Sequence, residues 1–335
     1  MNPTPKSAHI DAALTSIAIG YNAPMFIADR VFPHIQVKKK SDKFFKFLKG
    51  DWFRMDADVR GAGADARQSG YKLTSGNYSA IEYALAHPVP IELINNADDP
   101  LTPLRTAVEY LVRQIQLRKE YMVSTLCCTA ANWTSSEDAA AGWLATADGS
   151  GNTFIADMFA AKRTVRKLIG VNPNIMVVDD KTWDNIIQEY SVLERIKYSM
   201  GAGEPASVTT NLIAQMFGLD EVLIGSAIYS SAEETVAGAE FTAVDMWETN
   251  ATKGSALLFY RTPTPAINQP NAGYIFEWTG DMGQQSEIVD SDVYRTVRRW
   301  WDDGKKAWMV EGSENFDEKV TCADAGFLFT DTIVT

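Results

Sequence analysis

The chain has 335 residues, 46% hydrophobic and 11% aromatic, with 43 acidic against 31 basic side chains and a net charge of −12. This length and apolar content support two packed lobes or one large domain and exclude wholesale disorder. The acidic balance excludes nucleic-acid binding by the whole surface, because phosphate contacts need Lys and Arg.

The charge is uneven. Seven basic residues (Lys38, Lys39, Lys40, Lys43, Lys46, Lys49, Arg54) stand against Asp42 and Asp51 between positions 38 and 54. From Pro100 onward, 32 acidic residues face 19 basic ones, a net of −13. A basic strip of this kind is in the first instance a solvated strand face. On an acidic body it also suits contact with a second copy. Cys127, Cys128 and Cys322 form no C-x-x-C pair and fit free, buried thiols in a reducing compartment. The apolar run Ala12–Ile19 is too short to span a bilayer, and no targeting segment is read.

In chain order, residues 1–9 read as a loose tail. Ile10, Leu14, Ile17, Ala18 and Tyr21 recur at helical spacing and predict a short amphipathic helix that must find an apolar partner. An extended arm follows, broken by Ala23-Pro24 and Phe32-Pro33. Ile35 and Val37, then Phe45 and Phe47, alternate with polar residues as strands do. After the Gly-rich stretch Asp56–Gly76, alternation resumes at Ile81, Tyr83 and Leu85, so the segment reads as a long projecting hairpin or flap.

A helix is predicted over 103–130, with Thr102 as cap and Pro103 at its first position. Leu104, Val108, Leu111, Ile115, Met122 and Leu126 share one face, and Arg113, Arg118, Lys119 and Glu120 are assigned to the others. At ~1.5 Å per residue it spans roughly 40 Å, the length of a structural spine. The remainder reads as α/β. Helices are expected at 154–168, 180–190 and 209–217, with strands at 175–178, 222–224, 256–260 and 274–278. From Asp292 a closing hairpin is expected. Tyr294–Trp301 and Ala307–Glu311 form its outgoing part, and Val320–Val334 returns.

The sequence offers little for catalysis. His9, His34 and His87 show no metal-ligand spacing, and no H-E-x-x-H occurs. Gly61-Ala62-Gly63 lacks the third glycine and the strand-to-helix setting of a dinucleotide loop. Asp179-Asp180 follows a strand, but Asp180 is better read as a helix cap than as a catalytic carboxylate. Trp300, Trp301 and Trp308 flank Arg298, Arg299, Lys305 and Lys306. A basic aromatic set can bind nucleic acid, but a hairpin face buried in a subunit contact explains it more simply. No cofactor and no catalytic residue are assigned.

Arm, Gly-tipped flap, spine helix, α/β lobe and closing hairpin occur in the order of the HK97-type shell proteins of tailed phages, a fold shared with encapsulins. The local phrases agree. Leu14–Tyr21 followed by Phe26-Ile27-Ala28-Asp29-Arg30-Val31-Phe32-Pro33 resembles the arm of one phage capsid group. Lys43–Phe47 resembles the strand after it, and Ile175–Val178 with Asp180 and Trp183 is similar to the step that opens the axial lobe. The resemblance implies an α+β fold with residues 1–40 as N-terminal arm and 41–95 as extended flap (E-loop). It also implies a peripheral domain from 96–153 with the spine helix and from 290–335, and an axial domain at 154–289.

It further implies a major capsid protein that assembles as hexamers and pentamers into an icosahedral head around double-stranded DNA. A separate scaffold protein, a portal, a decoration protein and weak nonspecific DNA contact belong to that picture, with no membrane partner. The location is the virion, and the host cytoplasm during assembly. Candidate subunit-interface residues are Ile10, Leu14, Ile17, Lys38, Lys39, Lys40, Phe45, Phe47, Trp300, Trp301 and Trp308. Competing readings are an encapsulin-type compartment, a carboxylate-dependent α/β enzyme and another virion component.

Overall fold

The computed structural model describes residues 9–10, 25–46, 49–97, 101–139, 143, 153–200, 208–232, 241–248, 253–265, 269–278 and 295–333. Leu14, Ile17 and Phe47 lie outside these residues.

Two sheets organise the chain. The first runs in the order β1 (His9–Ile10), β13 (Arg295–Asp302), β14 (Ala307–Val320), β12 (Gly273–Trp278), β2 (His34–Val37). Strand β14 is its axis. It pairs with β13 along 307–314, with β5 (Ile81–Pro90) along 307–316, and with β12 along 316–320. The second sheet runs β6 (Ser135–Asp138), β15 (Gly326–Thr330), β11 (Ser255–Phe259), β7 (Ile175–Asp179), β8 (Glu221–Gly225). The whole of β7 and β11 is buried, as strands covered on both faces must be. The helix Phe154–Ile169 buries Phe154, Met158, Ala161, Val165 and Ile169, a three- and four-residue spacing, in the core that includes this sheet.

The spine helix runs from Pro103 to Cys128 and joins both cores. Its first half lays Val108, Leu111 and Val112 against Val89, Val297 and Val310 of the first sheet. Its second half sends Val123 and Cys127 into the core that holds the second sheet. Burying these five side chains stabilises the helix by roughly 1.5–3 kcal/mol per large aliphatic residue.

Several expectations are corrected. Ile10 does not open a helix; it pairs as a strand opposite Arg298. The flap hairpin proper is β3 (Ser41–Lys46) against β4 (Thr74–Ser79), whereas Ile81, Tyr83 and Leu85 belong to β5 on the first sheet. Thr102 occupies the helix cap position without a side-chain cap, and its carbonyl instead accepts from Thr106. The cap of the helix Asp180–Gln188 is Asp179, whose carboxylate accepts from Thr182 N at 3.0 Å, not Asp180.

The closing hairpin is β13 with β14. Residues 326–330 do not return along it but enter the second sheet between β6 and β11. The reason is burial: Phe327, Leu328 and Phe329 form an apolar run without alternation, the pattern of a strand covered on both faces.

Candidate assembly surfaces and the ionic core

Lys119 and Glu120, expected on an outer face, are 1% and 0% exposed. They continue the apolar stripe, because Ile115, Lys119 and Val123 follow four-residue steps. Lys119 Nζ pairs with Glu314 of β14 and lies 3.6 Å from Glu277 of β12 and 3.5 Å from Asp29 of the arm. Arg295 of β13 reaches Glu314 at 3.1 Å and Asp29 at 3.8 Å. His34 of β2 bridges Asp29 (Nε2, 3.2 Å) and Glu277 (Nδ1, 2.5 Å). Three carboxylates thus face Lys119, Arg295 and the His34 ring, and the charges balance when His34 is protonated.

Burial alone would push His34 down, but the hydrogen bonds to Asp29 and Glu277 outweigh it and hold the ring at about 9. Burial likewise opposes the charged form of Lys119, and Glu314, Asp29 and Glu277 more than reverse that.

Glu120 fastens the arm. Its carboxylate accepts from Ile27 N at 3.0 Å, from Ala28 N at 2.7 Å and from Trp247 Nε1 at 2.7 Å. The two backbone donors open the short helix Ala28–Val31. Burial raises Glu120 to about 7 despite these donors. The phrase Ala28-Asp29-Arg30-Val31-Phe32 is therefore a fastening. Ala28, Val31 and Phe32 are buried and Asp29 enters the ionic cluster.

The flap rests on a small aromatic base. Tyr78 stacks on Phe276 at 4.8 Å, Phe44 packs beside it at 5.2 Å, and Ile35 and Val37 complete the cluster. Phe45 on the other side of the strand is half exposed, at 51%. The lysine strip is partly engaged within its own chain. Lys39 pairs with Asp42 at 2.8 Å and Lys40 lies over the Trp278 ring at 5.2 Å, while Lys38 is exposed.

Farther out, Trp52, Phe53, Met55, Val59, Tyr71 and Leu73 are exposed, Met55 and Val59 almost fully. The flap is also tied back beyond this base. Lys49 pairs with Asp324 at 2.7 Å, and the Phe53 ring lies on Gly170, where a Cβ would come within 2.5 Å of it. Gly170 has φ +78, so glycine serves there both as helix terminator and as ring platform.

At the other end of the first sheet, Trp301 and Trp308 are cross-strand partners with ring centroids 5.4 Å apart. Arg299 lies 4.8 Å over Trp308, and Trp300 pairs opposite Met309. Trp301 is 38% exposed, and Trp300 and Trp308 are half-buried. Trp301 and Trp308 therefore share one face of the hairpin end, and Trp300 lies on the other. The lysine strip adjoins β2 and β3, and β2 is separated from β13 by β14 and β12 in the sheet order.

The chemistry considered in the sequence finds structural employment. Asp179 caps a helix and also accepts from Ser255 N at 2.8 Å. His87 packs edge-on against Tyr110. Burial pushes the Cys128 thiol to about 12, Cys322 to about 11, and Cys127 upward as well, so none is a thiolate at neutral pH. Gly61 to Ala66 lie in the exposed flap with no helix after them. Among the described residues, no group of three or more His, Cys, Asp or Glu could hold a metal ion, and no helix is long and apolar enough to cross a membrane.

No family model matches the chain. It is 26% identical over 322 residues to a protein of Burkholderia phage BcepMu named "Major capsid protein", covering 96% of each chain. Its fold matches the crystal structure of a phage-related protein from Bordetella bronchiseptica RB50 with a TM-score of 0.71 at 22% identity, over 97% of this chain and 98% of that one. It also matches the putative capsid protein of an Escherichia coli CFT073 prophage with a TM-score of 0.52 at 11% identity, over 96% and 99% of the two chains.

Proposed function

We infer that this chain, which has the HK97-type shell fold, is a major capsid protein whose copies build the head of a tailed phage. The observation that carries the reading is the end-to-end correspondence with a phage major capsid protein over 96% of both chains. The physical argument agrees with it. An exposed apolar flap and a tryptophan-bearing hairpin are liabilities for a lone molecule and become contacts in a closed assembly.

The ionic core has a mechanical role in this reading. It joins arm, spine helix and both halves of the β14 hairpin into one rigid body, so load on the arm passes directly to the spine. Hexamers and pentamers form the head, the axial lobe meets its copies around their axes, and the flap overlaps a neighbour. Residues 1–40 serve as arm, 41–95 as flap, 96–153 with 290–335 as peripheral lobe, and 154–289 as axial lobe. Because β6 and β15 lie in the second sheet and β12 in the first, the two lobes exchange strands and behave as one unit.

Lys38, Lys39, Lys40, Phe45, Trp300, Trp301 and Trp308 supply subunit contacts, as do Ile10, Leu14, Ile17 and Phe47. The role is structural and non-enzymatic. A separate scaffold protein, a portal, a decoration protein and weakly held DNA are its partners, with assembly in the host cytoplasm and residence in the virion.

Negative-stain microscopy tests the reading on the purified chain, alone and co-expressed with its neighbouring genes. Shells or capsomer rings are expected. Only single compact particles in both preparations would overturn it.

A further inference from the structure

A cleft of about 530 Å³ opens where the spine helix ends near the paired strands Ile228–Ser230 and Ala243–Asp245 and the residues that close β15. Tyr121, Tyr229 and Met246 line it together with the acidic residues Asp245, Glu248 and Asp331. Among the described residues no Lys, Arg or His does so. Cys128, Thr129 and Ala130, where the spine helix stops, form part of the wall. That helix carries no basic residue in its last turn, so its negative dipole end adds to the field of the three carboxylates.

Two of these carboxylates are only half satisfied. Glu248 Oε1 lies 2.6 Å from Lys181 Nζ, and Asp331 Oδ2 lies 2.7 Å from Lys253 Nζ. The other oxygens, Glu248 Oε2 and Asp331 Oδ1, are buried and meet no hydrogen-bond donor among the described residues. The Glu248 side chain is 2% exposed. A buried acceptor in this state costs stability until a donor reaches it. Burial, with Asp245 and Asp179 nearby, pushes the Glu248 carboxyl up despite Lys181. Asp245 shares Lys181 at 3.0 Å and is the most open of the three acids.

The aromatic wall suits the same class of ligand. Tyr121 and Tyr229 meet edge to face with centroids 5.3 Å apart. Arg118 already lies over the Tyr121 ring at 5.7 Å, which leaves Tyr229, cross-strand from Val244, as the free aromatic surface beside the acids. Tyr229 and Met246 offer apolar contact to methylene groups. The acids come from different elements and, among the described residues, form no group able to hold a metal ion.

We propose that this cleft binds a short aliphatic amine with two ammonium groups, one held by Asp245 and Glu248 and the other by Asp331, with its methylene chain on Tyr229 and Met246. The site is complete within one subunit and does not depend on the shell reading.

The test titrates 1,4-diaminobutane into the purified full chain by calorimetry, in enough sodium chloride to screen the general acidic surface. One saturable site per subunit is expected, with a rise in the thermal transition. Asp245→Asn is expected to weaken binding by about tenfold, as loss of a charged partner does, and Tyr229→Leu should weaken it as well. Asp65→Asn removes the same charge from the exposed flap and should leave binding unchanged. 1-Aminobutane should bind about tenfold more weakly than the diamine. Each variant's thermal transition reports its folding.

Absence of a saturable site would overturn the proposal. Equal weakening by Asp245→Asn and Asp65→Asn would also overturn it, because surface charge alone would then explain the binding. Full displacement of the diamine by magnesium chloride at matched ionic strength would make this a site for an inorganic cation and sink the proposal too. Shell formation is read separately by microscopy, so none of these results touches the shell reading.

Discussion

Lys119 of the spine helix is ion-paired with Glu314 of β14 where neither side chain meets solvent, at 2% and 0% exposure. The pair stands or falls with its neighbours, because removing the cation leaves Glu314 and Glu277 buried, with the half-buried Asp29 beside them, against Arg295 and His34. Lys119→Met is expected to destabilise the subunit by about 3–5 kcal/mol, as for any broken buried pair. Urea unfolding of Lys119→Met, Glu314→Gln and the double variant measures it. The double variant should cost less than the sum of the two, and strict additivity would refute the coupling.

His34 sets a pH limit. Its folded pKa of about 9 lies above the ordinary 6.5, so the folded state holds the proton more tightly than the unfolded one. The stabilisation is complete below about pH 6.5 and is lost as pH rises through 9, a loss on the order of 3 kcal/mol. Thermal scans from pH 6 to 10 should show Tm falling across that window. His34→Gln should flatten the slope, and an unchanged slope would refute the assignment.

Glu120 acts in the opposite part of the scale. Its folded pKa of about 7 lies above 4.5, because burial disfavours the carboxylate, so its contribution to stability declines as pH rises from 4.5 through 7. Glu120→Gln should remove that slope and keep the amide oxygen as acceptor. Glu120→Ala strands three donors (Ile27 N, Ala28 N and the Trp247 indole) and is expected to cost about 3 kcal/mol. Hydrogen exchange at Ile27 and Ala28 reads the loosened arm directly.

Lys49 and Asp324 hold the flap to its own body through a solvent-exposed pair, worth only about 0–1 kcal/mol. Lys49→Ala is expected to speed tryptic cleavage after Arg54, Arg60, Arg67 and Lys72 in the unassembled subunit by up to about fivefold. The swap Lys49→Asp with Asp324→Lys should slow it again. Cleavage rates identical in all three forms would show that the pair does not restrain the flap.

Trp301 should affect assembly more than stability. At 38% exposure its ring is only partly covered by Trp308, and Trp301→Ala is expected to lower subunit stability by about 1 kcal/mol or less. The yield of shells or rings, counted by microscopy, should fall. A normal yield would remove Trp301 from the subunit contacts.

Much of the architecture was legible because its residues obey simple periodicities. The spine helix follows three- and four-residue spacing from Val108 to Cys127, and the helix Phe154–Ile169 buries Phe154, Met158, Ala161, Val165 and Ile169 at the same spacing. The burial of Lys119 was legible in principle, since it occupies the core-facing position between Ile115 and Val123. A charged residue at such a position reads as surface until its partners are found, and Asp29, Glu277 and Glu314 lie far off in sequence. The destination of β15 was not legible. An apolar run such as Phe327-Leu328-Phe329 marks a strand covered on both faces but does not name its neighbours. The cap at Asp179 was missed by one residue, the ordinary uncertainty of a helix boundary.

The position of β15 between β6 and β11 has a consequence for synthesis. The second sheet stays split in two until residues 326–330 have left the ribosome, so a truncated chain presents an open seam and not a finished lobe. Among the described strands β15 comes last in the chain, so this sheet closes late in synthesis.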